Sequence, residues 1–276
     1  MEEWQLLSRA ALSQGWLFHS CITLLGLLAG SFLNVVVYRL PMAIGRAGGK
    51  TKDTFNLCFP ASHCPSCKHA LRYWQNIPLL SWVILQGRCH YCHGAISPSY
   101  PLTEGFCAAG FLALSLMLPG PATLFATLIL FWFLLALSLI DLATYLLPDS
   151  LTLPLLWIGL LVHSLLGKVP LQDAIYGAAA GYVSLWLLYW AVKAITGKEG
   201  MGYGDFKLLA ALGAWVGWQM LPNLCILAAL TGMVFALVSK GRNQMTKQIP
   251  FGPSLASAGL LVYVSQQSES VWLMFQ

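Results

Sequence analysis

The chain has 276 residues, of which 58% are hydrophobic, 12% aromatic and only 9% charged, with a formal net charge of +5. A soluble domain carries about 25% charged residues, so this composition excludes a soluble enzyme, a disordered chain and a DNA-binding protein. The apolar residues instead fall into blocks of spanning length, and the few basic residues gather between them.

A helix needs about 20 apolar residues to cross a hydrocarbon core of roughly 30 Å. In chain order the blocks predict spans at residues 15–37, 101–118, 121–140, 148–166, 174–195, 206–221, 223–239 and 251–264. The first is read as a retained span, because Glu2 and Glu3 stand where a signal peptide has its basic flank. The sixth reaches only about 24 Å at 1.5 Å per residue, so the residues ahead of it are predicted to lie at membrane depth. The eighth is cut short by Ser265-Gln266-Gln267-Ser268-Glu269. The fold class is therefore an all-α polytopic membrane protein. It has a first transmembrane helix at 15–37, a cytoplasmic segment at 38–100 and a transmembrane core at 101–276, about eight transmembrane helices in all.

Lys and Arg orient these spans. Residues 38–100 hold Arg39, Arg46, Lys50, Lys52, Lys68, Arg72 and Arg88. Lys193, Lys198 and Lys207 flank the sixth span, and Lys240, Arg242 and Lys247 follow the seventh. If eight spans alternate, these 13 share one side, and only Arg9 and Lys168 fall on the other. Basic loops stay cytoplasmic, so both termini are predicted to point away from the cytoplasm. The charge bias is explained by topology and calls for no nucleic acid partner.

The one sizeable polar segment carries Cys64-Pro65-Ser66-Cys67 and, after 21 residues, Cys89-His90-Tyr91-Cys92. Two C-x-x-C knuckles supply four thiolates for a tetrahedral zinc ion and leave no open position for catalysis, so the predicted role is structural. A segment of this size with one modest core needs such a staple. Disulfides are the plain alternative and are disfavoured in a reducing cytoplasm; His90 and His93 are substitute ligands by proximity. Cys21, Cys58, Cys107 and Cys225 are scattered, three of them in spans, where they act as small apolar residues. The run Asn76-Ile-Pro-Leu-Leu-Ser-Trp-Val-Ile-Leu85 is too short to cross and reads either as the segment's core or as an interfacial helix.

Five acids lie near cytoplasmic ends of spans: Glu104, Asp141, Asp149, Glu199 and Asp205. Ionisable groups at membrane depth are costly and usually functional. Asp141 directly follows the third span, and Asp205 closes Gly202-Tyr203-Gly204-Asp205 just before the short sixth one. Both carboxyls can face one wet pocket although 64 positions separate them. Adjacent carboxyls do not both ionise readily, so one keeps a proton near neutral pH. The ionised member can then take a proton from an attacking water while the other donates to the developing oxyanion and then helps the amine leave. Asp149, after Pro148, also fits the first turn of the fourth span. The glycine-rich Gly200-Met201-Gly202-Tyr203-Gly204 lacks the strand that would make it a nucleotide loop.

These residues resemble the bacterial type IV prepilin peptidases, aspartic proteases of the G-x-G-D class. The resemblance runs through the C-x-x-C pair, Asn76-Ile-Pro-Leu-Leu-Ser-Trp82, Ile140-Asp-Leu through Leu147-Pro-Asp149, and Gly200-Met-Gly-Tyr-Gly-Asp-Phe-Lys207. It implies catalytic aspartates at Asp141 and Asp205 and zinc ligands at Cys64, Cys67, Cys89 and Cys92. It implies cleavage, after glycine, of a short basic leader from prepilins and pseudopilins at the cytoplasmic side of the bacterial inner membrane. It further implies N-methylation of the new N-terminus with S-adenosylmethionine. No residues are assigned to the sulfonium, although a carboxylate such as Glu104 would suit a cation; a helix-start acid is the plainer reading of Glu104. A basic leader meeting a basic face suggests that Glu104, Asp149 and Glu199 offset the repulsion. The reading from another class is a proton-coupled membrane transporter with Asp141 and Asp205 as a relay; a third is a non-enzymatic assembly scaffold.

Overall fold

Long apolar runs with few breakers fold as helices because, in hydrocarbon, each backbone polar group must be satisfied within its own segment. The computed structural model describes residues 15–47, 61–118, 120–197, 201–240 and 250–267. Its helices are α1 (Gly15–Ala47), α2 (Leu80–Ile84), α3 (Ser99–Met117), α4 (Pro121–Thr144), α5 (Asp149–Leu166), α6 (Leu171–Thr196), α7 (Tyr203–Val216), α8 (Leu221–Lys240) and α9 (Gly252–Gln267). Short 3-10 turns cover Tyr73–Asn76 and Trp218–Met220. Among the described residues no sheet forms; the only bridges are His63 with Ala70 and Arg88 with Ala95. Glu199, Cys58, Arg9, Lys50, Lys52, Lys198, Arg242 and Lys247 lie outside the described residues.

The chain divides into two units, Met1–Leu124 and Phe125–Gln276. In the first, α1 and α3 are close neighbours. A Cβ on Gly26 would stand 2.8 Å from the Ala108 Cα, and one on Gly30 2.8 Å from the Glu104 Cα. The helix pair carries polar ties as well, with His19 Nδ1 and Ser115 Oγ 2.9 Å apart and Asn34 Nδ2 donating to the Tyr100 carbonyl at 3.2 Å. α1 continues past the expected end at residue 37 to Ala47. Its 33 residues make about 50 Å, more than the hydrocarbon needs.

In the second unit the short helix α7 is the centre, and 11 of its 14 residues are buried. Small residues let its neighbours approach. A Cβ on Gly177 of α6 would fall on the Gly213 carbonyl, and a Cβ on Gly213 would fall on the Gly177 carbonyl. One turn along, Gly181 faces the Leu209 carbonyl at 2.7 Å by the same measure. From α5, Gly159 leaves room for the Trp215 ring, whose Nε1 donates to the Leu155 carbonyl at 2.9 Å. From α9, Gly259 receives Leu212, and Tyr263 meets Trp215 edge-on at 5.3 Å between centroids.

The sixth span was expected at residues 206–221, but α7 stops at Val216. Gly217, at φ 79° and ψ 163°, leaves helical conformation. The last carbonyls of a helix lack intrahelical donors; here His163 Nε2 bonds the Trp215 carbonyl at 2.7 Å and Gln266 Nε2 donates to the Val216 carbonyl at 3.0 Å. Side chains therefore complete the helix end where a longer helix would have supplied its own amides. Among the described residues six stretches are long and apolar enough to cross a membrane, namely most of α1, all of α3, α4, α5 and α6, and Trp218–Leu237. α7 and α9, at 14 and 16 residues, reach only about 21 and 24 Å. The expected eight spans thus correspond to six of full length and two short helices.

Candidate active site and metal centre

Asp141 sits near the end of α4 and is 5% exposed. Its Oδ2 accepts the Gly252 amide, 111 residues downstream, at 2.9 Å. A Cβ on Gly252 would stand 2.6 Å from that same oxygen, so only a residue without a side chain lets the amide reach the carboxylate. Asp205 is the third residue of α7 and 8% exposed. Its amide donates to the Gly202 carbonyl at 3.2 Å, the closing turn that starts the helix. The Asp141 carboxyl acts electrostatically on Asp205. Two acids 64 positions apart are therefore both buried within one unit.

The chain between α4 and α5 ties the two acids' surroundings together. Tyr145, at φ 57°, ends α4 with its amide on the Asp141 carbonyl at 2.9 Å. Leu147 then packs on Gly204, where a Cβ would come within 2.8 Å of it. Asp149 opens α5 directly after Pro148, as expected of a first-turn acid. Lys207 Nζ donates to both Asp149 oxygens, at 2.7 and 2.8 Å, linking the starts of α5 and α7 two residues from Asp205. The pair is partly exposed, so screening keeps its worth small.

The expectation that Glu104, Asp149 and Glu199 together offset a basic leader does not survive for two of them. Asp149 is already neutralised by Lys207. Glu104 is 8% exposed and turned inward, its Oε2 accepting the Leu79 amide at 2.8 Å. Glu199 lies outside the described residues.

Cys64, Cys67, Cys89 and Cys92 converge, with all four sulfurs within 4.8 Å of one another. Zinc–sulfur bonds of about 2.3 Å place tetrahedral sulfurs about 3.8 Å apart, and Cys64 and Cys92 stand at 3.8 Å. The donor set fits a closed structural zinc. The two knuckles repeat one backbone pattern. Cys64 and Cys89 each donate their amide to the carbonyl five residues on, and each accepts from the amide four residues on, all at 2.9 to 3.0 Å. Lys68 and His93, at the matching positions, both have φ near 55°. The Cys67 backbone amide pushes the Cys64 thiol down to about 6, toward the thiolate that binds metal. His90 rests edge-on against Trp74 and Tyr91, and neither it nor His93 joins the four-residue set. None of the described cysteines forms a disulfide, and Cys107 is buried in α3. Metal analysis of the purified protein is expected to give about one zinc per chain, with Cys64→Ser losing both zinc and folded yield.

Gly252 and the small-residue face of α6 were missed in the sequence reading. Phe251-Gly252-Pro253 at a helix start and Gly177-x-x-x-Gly181 in an apolar run were the available signals.

Comparison with known proteins matches residues 24–118 to the Bacterial Peptidase A24 N-terminal domain and residues 128–237 to the Type IV leader peptidase family. The second match contains both aspartates. A relative from Aeromonas salmonicida, named prepilin leader peptidase/N-methyltransferase, is 49% identical over 94% of each chain. One of the same name from Pectobacterium carotovorum subsp. carotovorum is 51% identical over 91% of this chain and 94% of its own. A third, from Pseudomonas aeruginosa, is 46% identical over 94% of each. No solved structure matches the chain. With buried paired acids in a helical membrane core, a four-cysteine cluster ahead of it and near-half identity along almost its whole length, this chain belongs to the type IV leader peptidase family.

Proposed function

We propose that this protein is a membrane-embedded aspartic endopeptidase that removes the short basic leader of prepilins and pseudopilins after glycine and then N-methylates the new N-terminus. The observation that carries the reading is the pair of buried acids, Asp141 held by the Gly252 amide and Asp205 at the start of the buried helix α7. The names of the relatives support both activities, and nothing in them favours the transporter.

Asp141 and Asp205 act as general base and general acid. With one carboxyl ionised and the other protonated, the first takes a proton from water as that water attacks the peptide carbonyl. The second donates its proton to the developing oxyanion; as the tetrahedral diol collapses it takes that proton back, while the first passes the proton it took from water to the departing amine. The two titrate as a coupled pair, so the roles belong to the pair and not to fixed members. A substrate anchored by an apolar helix presents its cut site at the lipid boundary, so an acid pair at that depth spares the helix extraction into water. The distribution of basic residues along the sequence supports a site facing the cytoplasmic side of the inner membrane. Cys64, Cys67, Cys89 and Cys92 would hold a zinc ion with all four positions filled, which would staple their segment and leave no open site for a catalytic step. In the second reaction S-adenosylmethionine is the methyl donor and the freed amine the nucleophile.

Incubating the purified, lipid-reconstituted protein with a prepilin tests the reading. A product shorter by the leader is expected, and a leaderless pilin is expected to accept label from methyl-labelled S-adenosylmethionine. An unprocessed prepilin would reject the peptidase, and an unlabelled leaderless pilin would reject the methyl transfer alone. Gly252→Ala is expected to lower turnover about 100-fold, since a displacement of roughly 1 Å at a reacting group has that effect, with little change in KM. A Gly252→Ala protein cleaving at the normal rate would remove Gly252 from the positioning of Asp141.

A further inference from the structure

The stretch ahead of α2 has an unusual backbone. Leu79 stands at φ 58° and ψ −51°, and the Leu80 amide donates across it to the Pro78 carbonyl at 2.6 Å. This is a γ-turn of the positive-φ kind, rare and strained for a side chain of this size. Such a turn persists only where its surroundings fix it, and here the fixing group is Glu104. Its carboxylate, on α3, accepts the Leu79 amide at 2.8 Å and a further bond from the Ser31 side chain.

Beyond the turn, α2 has two unlike sides. Trp82 covers Gly87, and its Nε1 donates to the Ile96 carbonyl at 3.4 Å, which turns that side toward the second cysteine knuckle. On the other side Leu80, Val83 and Ile84 form a stripe at helical spacing, and Ile77, ahead of the turn, is exposed as well, each between 45% and 68%. α2 buries no residue at all. Four aliphatic side chains in water would be a poor arrangement for so short a helix.

The height of Glu104 decides what covers them. It is the sixth residue of the spanning helix α3, and the exposed apolar residues Leu102 and Phe106 bracket it along that helix. The Leu79 amide, bonded to Glu104, therefore lies level with the exposed apolar residues of α3. Tyr73, almost fully exposed, and Trp74 stand close by in the sequence with Arg72, a composition suited to the headgroup layer.

We propose that the Leu80–Val83–Ile84 stripe, with Ile77 ahead of it, is seated in the headgroup–acyl boundary of the bilayer, and that Glu104 is the positioning residue that clamps it there through the Leu79 turn. The clamp holds the zinc-stapled segment against the membrane surface. The proposal is independent of the peptidase reading.

The test places a diazirine-bearing residue in turn at positions 84, 106 and 68 of the full chain, in vesicles of phosphatidylethanolamine and phosphatidylglycerol. Irradiation is expected to yield lipid adducts at position 84 within about 3-fold of the lipid-facing position 106 and at least about 10-fold above Lys68 on the first knuckle. Yields at 84 no higher than at 68 would overturn the seat. Adducts at 84 formed only with an added prepilin would reassign the stripe to a protein partner. Glu104→Leu is expected to lower the adducts at 84 several-fold while zinc content persists, and Glu104→Gln, whose amide oxygen still accepts, to restore them. Equal adducts in all three proteins would remove the clamp. Should Glu104→Leu fail to hold zinc, the zinc-loaded Glu104→Met protein, which also lacks the acceptor, takes its place: a several-fold fall in adducts would support the clamp and unchanged adducts would overturn it.

Discussion

Asp141→Asn and Asp205→Asn are each expected to reduce prepilin cleavage by about 10²–10⁴-fold, the range for loss of a general acid or base, while membrane insertion and melting should stay near those of the unmodified protein. Asparagine keeps the size of the side chain and an acceptor oxygen, so at position 141 the Gly252 amide keeps its bond. What is lost is the ability to hold and release a proton. The two variants are also expected to be non-additive, because a pair that shares one task fails once, and the double variant should be little slower than either alone. The measurement is single-turnover cleavage of a reconstituted prepilin, with the melting curve of each variant beside it. Full processing by either variant would sink the assignment. Loss of cleavage together with loss of the melt would mean a packing defect and would leave the chemistry to be judged from the other variant.

The parts of this molecule that could be read from its sequence are those whose physics is local. Apolar blocks must span or be buried, so nearly all the helices were foreseeable. The C-x-x-C turns place two sulfurs each by their own backbone bonds, Cys64 and Cys89 repeating one pattern, so the cysteine cluster needed no tertiary information. Asp141 and Asp205 stood out because carboxylates are so few in this chain. The hidden parts depend on distant partners. Nothing near Gly252 in the chain says that its amide meets a carboxylate 111 residues earlier. Leu79 adopts a backbone that its own type disfavours because a carboxylate on another helix fixes it. The sixth span ended early because His163 and Gln266 complete its carbonyls from other helices. The charge-offset idea failed for a similar reason: Lys207 had already claimed Asp149.

Gly177→Leu is expected to cost the second unit more than about 4 kcal/mol, beyond the usual range for single substitutions. The reason is backbone against backbone. In hydrocarbon, helices gain nothing from burying apolar surface and associate through close packing, which small residues permit. Gly177 and Gly213 each stand where a Cβ would fall on the other's carbonyl. A flexible side chain could move aside, but a carbonyl within a helix does not, so α6 and α7 must separate along their contact. Gly181, one turn away against the Leu209 carbonyl, separates with them. Gly177→Ala should lower the melting temperature measurably, by about 1–3 kcal/mol of overpacking, and Gly177→Leu should remove the cooperative melt. Gly105→Ala, in a helix where an added Cβ meets nothing within 4 Å, serves as the control and should be neutral or slightly stabilising. Because α7 also carries Asp205, cleavage should fall in step with stability across the Gly177 series, unlike the aspartate variants, which lose cleavage with the fold intact. A Gly177→Leu protein that melts normally would show that α6 and α7 do not approach as closely as their glycines allow.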